Sequence, residues 1–309
     1  MTRIALPLIV LAAALAPIAS AESKSFPAGD FTAIDTRGAV DVIFETGPDA
    51  SISVEQDDGD FSDIFIEQNG QTLLVSRNSL RNKAGWARNV SLSTKNGHKV
   101  VKVNGKRVPS YTIRVTAPAL EEVSVANSSS LSASGLNVST FSGSVSSSSD
   151  LTLSGTVEQA KLRASSSGDL NAKQLAATNL DLDVSSSADA TAKVLGGKLT
   201  LEASSSADAS IEATGTELVG IDASSSADVE ISGTCQMLNA AASSSANVSA
   251  DDMQCVNGDI QASSGADVDA YISGKLEARA SSGSDVTVRG NPATRDVRES
   301  SGGDIEIKG

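Results

Sequence analysis

From residue 146 onward, apolar and polar side chains alternate at every second position, and one phrase, Ser-Ser-Ser/Gly-small-Asp, keeps returning. In one repeat Leu199, Leu201, Ala203, Ser205, Ala207, Ala209, Ile211 and Ala213 share a face, with Thr200, Glu202, Ser204, Ser206, Asp208, Ser210 and Glu212 opposite. The preceding repeat sets Leu180, Leu182, Val184, Ser186, Ala188, Ala190, Ala192 and Val194 in the same phase. A period of two is that of a strand. The acidic position falls at Asp150, Asp169, Asp189, Asp208, Asp228, Asn247, Asp267, Asp285 and Asp304, in steps of 18 to 20 residues. Repeats of that length predict a solenoid, here an all-β parallel β-helix whose rungs of 19–20 residues stack in register.

Stacking turns equivalent residues into columns about 4.8 Å apart. Ser147, Ser166, Ser186, Ser205 and their counterparts as far as Ser301 are expected to face the core. A buried hydroxyl without a partner costs about 1–3 kcal/mol, so these should bond along the column or to backbone. Ser165, Ser167, Asp169 and their equivalents form an outward polar lattice, whose middle serine gives way to Gly265, Gly283 and Gly302. Cys235 and Cys255 each precede the serine triplet of their own repeat by eight residues. Equal offsets on adjacent rungs place them side by side and predict a disulfide.

Ahead of the regular repeats, residues 26–75 carry shorter strand patterns and most of the large apolar side chains. They read as opening turns of the same solenoid, serving as its cap. The first residues read as an export signal: Arg3, an apolar run over residues 4–18, then Ala19-Ser20-Ala21 before Glu22. The run contains Pro7 and Pro17 and falls short of the roughly 20 residues of a spanning helix. The expected organisation is a cleaved signal peptide at 1–21, N-terminal rungs at 22–121 with a basic insertion at 77–114, and regular rungs at 122–309, in one domain.

Charge divides the chain unevenly. Without residues 1–21 it loses only Arg3, leaving 23 basic and 38 acidic side chains, a net of −15. Such a chain does not seek nucleic acid or anionic lipid as a whole. Yet residues 77–114 hold ten basic residues and no acidic one, with the sole tryptophan, Trp86, and the sole histidine, His98. One reading is an insertion hairpin whose cations are simply solvated. The other is a contact surface for an acidic polymer or cell-surface component, for lipid headgroups, or for the acidic flank of a neighbouring copy, built from Arg77, Arg81, Lys83, Trp86, Arg88, Lys95, His98 and Lys99.

Phe31-Thr-Ala-Ile, Val40-Asp-Val-Ile-Phe, Gln71-Thr-Leu-Leu-Val-Ser and Tyr111-Thr-Ile-Arg-Val-Thr-Ala-Pro-Ala-Leu precede the recurring Ser-Ser-Ser-Gly-Asp phrases. In that order they resemble the autotransporter-adhesin head (GIN) domain family over nearly the whole chain beyond residue 21. The resemblance implies an exported bacterial protein, in the periplasm or at the cell surface, folded as a right-handed parallel β-helix with no established catalytic activity.

Stacked carboxylates at rung spacing repel by about 0.9 kcal/mol per pair in bulk water, which solvent tolerates. Calcium between Asp150, Asp169, Asp189, Asp208 and Asp228 would relieve that repulsion, since oxygen-only ligands suit it. The nonapeptide calcium repeat of other β-helices is absent, however. A water-ordering serine grid is a third reading. No cofactor is otherwise called for. Catalysis finds little footing, because His98 stands away from the serine columns and the acidic face is almost ring-free. The expectation is therefore a non-enzymatic structural or adhesive protein binding through many weak contacts. The alternative is a carbohydrate-active β-helix enzyme, a polysaccharide lyase or hydrolase. The last rung, residues 304–308, shows no cap, which invites self-association through the solenoid ends.

Overall fold

A computed structural model describes residues 22–56, 60–78, 90–95 and 98–309. The expected signal peptide lies outside them. The first half of the chain forms β1 (Glu22–Phe26), β2 (Ala33–Arg37), β3 (Asp41–Thr46), β4 (Ser51–Gln56), β5 (Ile64–Asn69), β6 (Thr72–Arg77), β7 (Val90–Lys95), β8 (His98–Val103), β9 (Lys106–Val108), β10 (Tyr111–Ala117) and β11 (Glu122–Ala126). The repeats then give β12 (Ser130–Ser146), β13 (Asp150–Ser165), β14 (Asp169–Ser185), β15 (Asp189–Leu195), β16 (Lys198–Ser204), β17 (Asp208–Ala223), β18 (Asp228–Ala242), β19 (Asn247–Ser263), β20 (Asp267–Ile272), β21 (Lys275–Ser281), β22 (Asp285–Arg289), β23 (Thr294–Ser300) and β24 (Asp304–Lys308).

From β11 onward each strand pairs in parallel with its counterpart one repeat away. Asp150 lies opposite Asp169, Asp169 opposite Asp189 and Asp189 opposite Asp208, and the register continues to Asp304. The chain is thus a β-solenoid of stacked parallel coils, as the repeat length predicts. Inward positions are mostly Ala, Val, Leu and Ile, all buried. Each coil adds little apolar area, so stability accumulates along the stack.

The alternation survives the serine phrase but not in the expected manner. Ser166 and Ser167 both have positive φ, as do Ser147 and Ser148, Ser186 and Ser187, Ser205 and Ser206. Two successive left-handed residues turn a corner and restore the phase beyond it, so Val184 and Ala188 both point inward while Ser186 points out. The column from Ser147 to Ser301 is therefore exposed, which corrects its expected core position. It is held by backbone: the Ser148, Ser167 and Ser187 amides donate to the carbonyls of Ser166, Ser186 and Ser205 at 3.2, 3.1 and 3.0 Å. The buried hydroxyls of the corner sit elsewhere in the phrase, at Ser129, Ser149 and Ser284.

Near the N-terminus the stacking order departs from the chain order. β2 and β3 form one coil, pairing in parallel with β11 and β12 above and with β6 and β10 below. Beneath them β4, β1 and β5 add antiparallel pairings, so the parallel stack closes at this end with a mixed layer. Phe44, Leu73 and Tyr111 are fully buried here. Between β6 and β10, strands β7, β8 and β9 form a separate antiparallel meander.

Cys235 and Cys255 face each other on β18 and β19 and form a disulfide, with Cα atoms 4.5 Å apart. The bond closes a loop across 20 positions of sequence. Replacing both cysteines with alanine is expected to lower stability by about 3 kcal/mol, the chain-entropy value for a loop of this order. A urea midpoint unchanged from the parent protein would show that coil stacking alone holds the pair together.

Candidate functional site

Two surfaces carry the charge of this protein. The first is the outer face of the strand that follows the serine corner. Its first column runs Asp41, Ser130, Asp150, Asp169, Asp189, Asp208, Asp228, Asn247, Asp267, Asp285, Asp304 in continuous register. Asp41 and Ser130 extend the expected ladder by two coils, and the Ser130 hydroxyl donates to the Asp41 carboxylate. The sequence held the signal: Gly38-Ala39-Val40-Asp41 has the shape of Ser147-Ser148-Ser149-Asp150, with the same pair of positive-φ residues ahead of a buried one.

Two residues further along the strands, a second column adds Glu230, Asp269 and Glu306 among serines, threonines and an asparagine. Neither column contains a lysine or arginine. At their rim, cations are matched by acids of their own: Lys193 with Glu212 at 2.9 Å, Arg289 with Asp251 at 2.7 Å. Another side of the coils uses the same cross-coil pairing as Lys193 and Glu212, with Lys161 over Asp181, Arg163 over Asp183 and Arg279 over Asp259 on adjacent coils. The two columns themselves thus lack the cross-coil pairing found at their rim and elsewhere.

Burial and crowding act together at two members of the column, Asp169 and Asp208. Partial burial, followed by the charge of Asp150, raises the Asp169 carboxyl above its ordinary 3.8. Burial again, then Asp189 and Asp228, raises Asp208. A raised folded-state value means that the folded chain binds more protons than the unfolded one just above pH 3.8. Ionised Asp169 and Asp208 therefore disfavour the fold at neutral pH, and this penalty vanishes as pH falls through the folded value toward the unfolded one. An Asp169→Asn/Asp208→Asn variant is expected to melt at or above the parent temperature at pH 7, the gap closing by about pH 4. A gap that widens on acidification would contradict the assignment.

Among the described residues no three His, Cys, Asp or Glu side chains converge as a metal site requires. The carboxylates at Asp150, Asp169, Asp189, Asp208 and Asp228 make a line rather than a cage, so the calcium reading gains no geometry.

The second surface is the meander. Val101 and Val103 of β8 are buried, while Lys102 between them is exposed. Lys102 lies directly opposite Arg107 on β9, and Lys106 and Arg107 are both exposed. Lys95 pairs with His98, and Thr94 with Lys99, at the β7–β8 turn. Arg81, Lys83, Trp86 and Arg88 lie outside the described residues. Lys102, Lys106 and Arg107 belong to the same basic stretch but not to the residues singled out from sequence.

Arg77 is a correction. Its side chain is fully buried, not part of a contact surface. It donates to the carbonyls of Gly38 (2.9 Å), Ala39 (3.0 Å) and Pro109 (2.7 Å), and pairs with Asp63 at 3.2 Å. The guanidinium also lies 4.8 Å from the Tyr111 ring centroid. Gly38 and Ala39 form the lowest left-handed corner, where the next coil down would supply amide donors. Arg77 stands in for that missing coil. Arg114, at the other end of the basic stretch, is engaged by Glu55 at 2.9 Å.

A family profile described as "Putative auto-transporter adhesin, head GIN domain" matches residues 30–196 and 191–292. A "Putative lipid binding protein" of Parabacteroides distasonis is 18% identical, covering 94% of this chain and 98% of that one, at a TM-score of 0.44. A "putative adhesin" of the same organism is 15% identical with the same coverage and a TM-score of 0.46. Another, from Parabacteroides merdae, is 15% identical over 94% and 98% of the two chains, at 0.41. No curated protein matches.

Proposed function

This chain belongs to the family of auto-transporter adhesin head GIN domains, and on that premise we propose that it is an exported, non-enzymatic adhesin whose meander binds acidic polymers of a cell surface. The observation that carries the reading is the basic outer face of β7–β9, where Lys102 and Arg107 lie opposite each other in a stretch without a single acid. Like charges directly opposite are unfavourable in a sheet, so a polyanion bound there relieves strain as well as adding contacts. The disulfide fits an oxidising compartment outside the cytoplasm. Among the described residues no helix is long and apolar enough to cross a membrane. The solenoid acts as a stalk that presents the meander at one end, and its repeated polar columns favour many weak contacts over one tight pocket.

A binding screen against anionic, neutral and cationic glycans, with and without calcium and at two salt concentrations, tests this. The expected hit is an anionic polymer, bound without calcium and released by salt. Lys102→Glu/Lys106→Glu/Arg107→Glu should weaken it by about tenfold or more, at a few tenths to 1 kcal/mol for each exposed charge. Turnover of a polysaccharide would instead establish an enzyme. Binding indifferent to salt would remove the meander from the account.

A further inference from the structure

Each charged surface is repulsive by itself, and the two are of opposite sign. On the acidic side, the columns from the Asp150 coil to the Asp285 coil stack carboxylates without an intervening cation. Where this protein places acids on another side of the coil, it sets Lys161, Arg163 and Arg279 one coil away to match them. The column of Asp189, Asp208 and Asp228 has no such partner built in; the cations nearby, Lys193 and Arg289, are taken by Glu212 and Asp251. On the basic side, Lys102 opposes Arg107 across two strands of the meander, and no acid occurs within residues 77–114. The two arginines that bound this stretch, Arg77 and Arg114, are consumed by Asp63 and Glu55. The cations between them include the exposed Lys102, Lys106 and Arg107.

Shape agrees with charge. The acidic face is concave along part of its length, with a depression of about 510 Å³ lined by Asp189, Asp208, Asp228, Glu230, Asp251 and Asp252 among other residues. It spans the four coils that begin at Asp189, Asp208, Asp228 and Asn247, about 14 Å at strand spacing. The meander is three strands across, about 10 Å between its outer strands at the same spacing. A sheet of that width fits a trough of that length.

We infer that this protein binds a second copy of itself, the basic meander of one molecule seated in the acidic trough of the other. The inference rests on the meander being a binding element, as proposed above, and names a further partner for it. Docking brings Lys102 and Arg107, which share the exposed face of the meander, against the carboxylates of the Asp189, Asp208 and Asp228 coils, with the exposed Lys106 at its edge, and relieves both self-repulsions together. Because the meander and the trough are different patches of one chain, the contact is heterologous, and copies can join head to side into longer assemblies. In an adhesin this amounts to homotypic attachment between surfaces that display the same protein.

Charge reversal on each side provides the test. One variant carries Asp189→Lys, Asp208→Lys and Asp228→Lys, the other Lys102→Glu, Lys106→Glu and Arg107→Glu. Sedimentation velocity of the parent protein at low salt should show concentration-dependent association, weakened by about tenfold or more when salt shortens the Debye length below the contact distance. Each variant should sediment as a monomer, and an equimolar mixture of the two should associate again, because the reversed charges are complementary. That recovery requires both variants to be folded, so it separates loss of contact from loss of structure. A parent protein that stays monomeric at low salt overturns the inference, as does association that both variants retain or a mixture that fails to recover. A sulfated polysaccharide supplies the second readout. The trough variant keeps the meander and gains three lysines, so it should bind the polysaccharide at least as tightly as the parent; failure of self-association then leaves the polyanion reading standing, and failure of polyanion binding by the parent leaves self-association standing.

Discussion

Arg77→Met is expected to destabilise the protein by about 3–5 kcal/mol, the range for breaking a buried ion pair by removing one partner. Methionine matches much of the arginine volume but offers no donors. The carbonyls of Gly38, Ala39 and Pro109 would lose the hydrogen bonds that Arg77 now supplies, and Asp63 would lose its ion pair. Burial already opposes the guanidinium charge, and Asp63 is the main group supporting it. The damage should be local at first. The corner at Gly38 and Ala39, the base of the meander at Pro109 and the cap strand β6 meet at this one side chain, whereas the later coils stack without it. Hydrogen exchange should therefore rise first in β2, β3, β6 and β10, with β17 to β19 protected. A variant with parent stability would mean that water replaces the guanidinium without loss, and the view of Arg77 as the stand-in for a missing coil would fail.

The second large effect is expected at Gly233. Its φ is +124°, and a Cβ built there would lie 1.9 Å from the Ala213 carbonyl oxygen on the coil below. Neither atom can give way easily, because the obstacle is backbone inside a parallel ladder. Strain in that dihedral region costs about 1–3 kcal/mol, and overpacking adds about 1–3 kcal/mol. Gly233→Ala should accordingly cost about 2–6 kcal/mol, the sum of those two ranges. Gly283→Ala provides the contrast: φ is +71° and nothing lies within 4 Å of the added Cβ. Serine already occupies the equivalent left-handed position at Ser148, Ser167, Ser187, Ser206, Ser226 and Ser245. That variant should lose only about 1 kcal/mol, the cost of one left-handed residue with a side chain. Equal melting temperatures for the two variants would refute the steric assignment at Gly233.

Several features were legible in advance because a strand's side-chain period is strict. A slip of one residue would turn Leu199, Leu201 and Ala203 outward, so the register of β14 on β16 and of β16 on β17 follows from the pattern. Equal offsets from the serine triplet likewise placed Cys235 opposite Cys255. The exposed serine column was hidden for the same reason. A pair of left-handed residues preserves the alternation on both sides, so parity assigns Ser186 to the core although its φ of +57° turns it out.

The basic stretch shows the other limit. Composition alone groups Arg77 with Lys102, Lys106 and Arg107, because all four lie in one acid-free segment. Their fates separate only when β6 pairs beneath β2 and carries Arg77 under a corner 38 and 39 residues earlier in the chain.

Sequence by itself determined the coil length, the parallel register, the column of aspartates and the disulfide, since each depends only on a repeat laid over its neighbour. Tertiary structure alone decided which serines face water, which arginine is structural, and how the stack ends. Those depend on the sign of a backbone dihedral and on contacts between segments that share no repeat, and neither leaves a trace in periodicity.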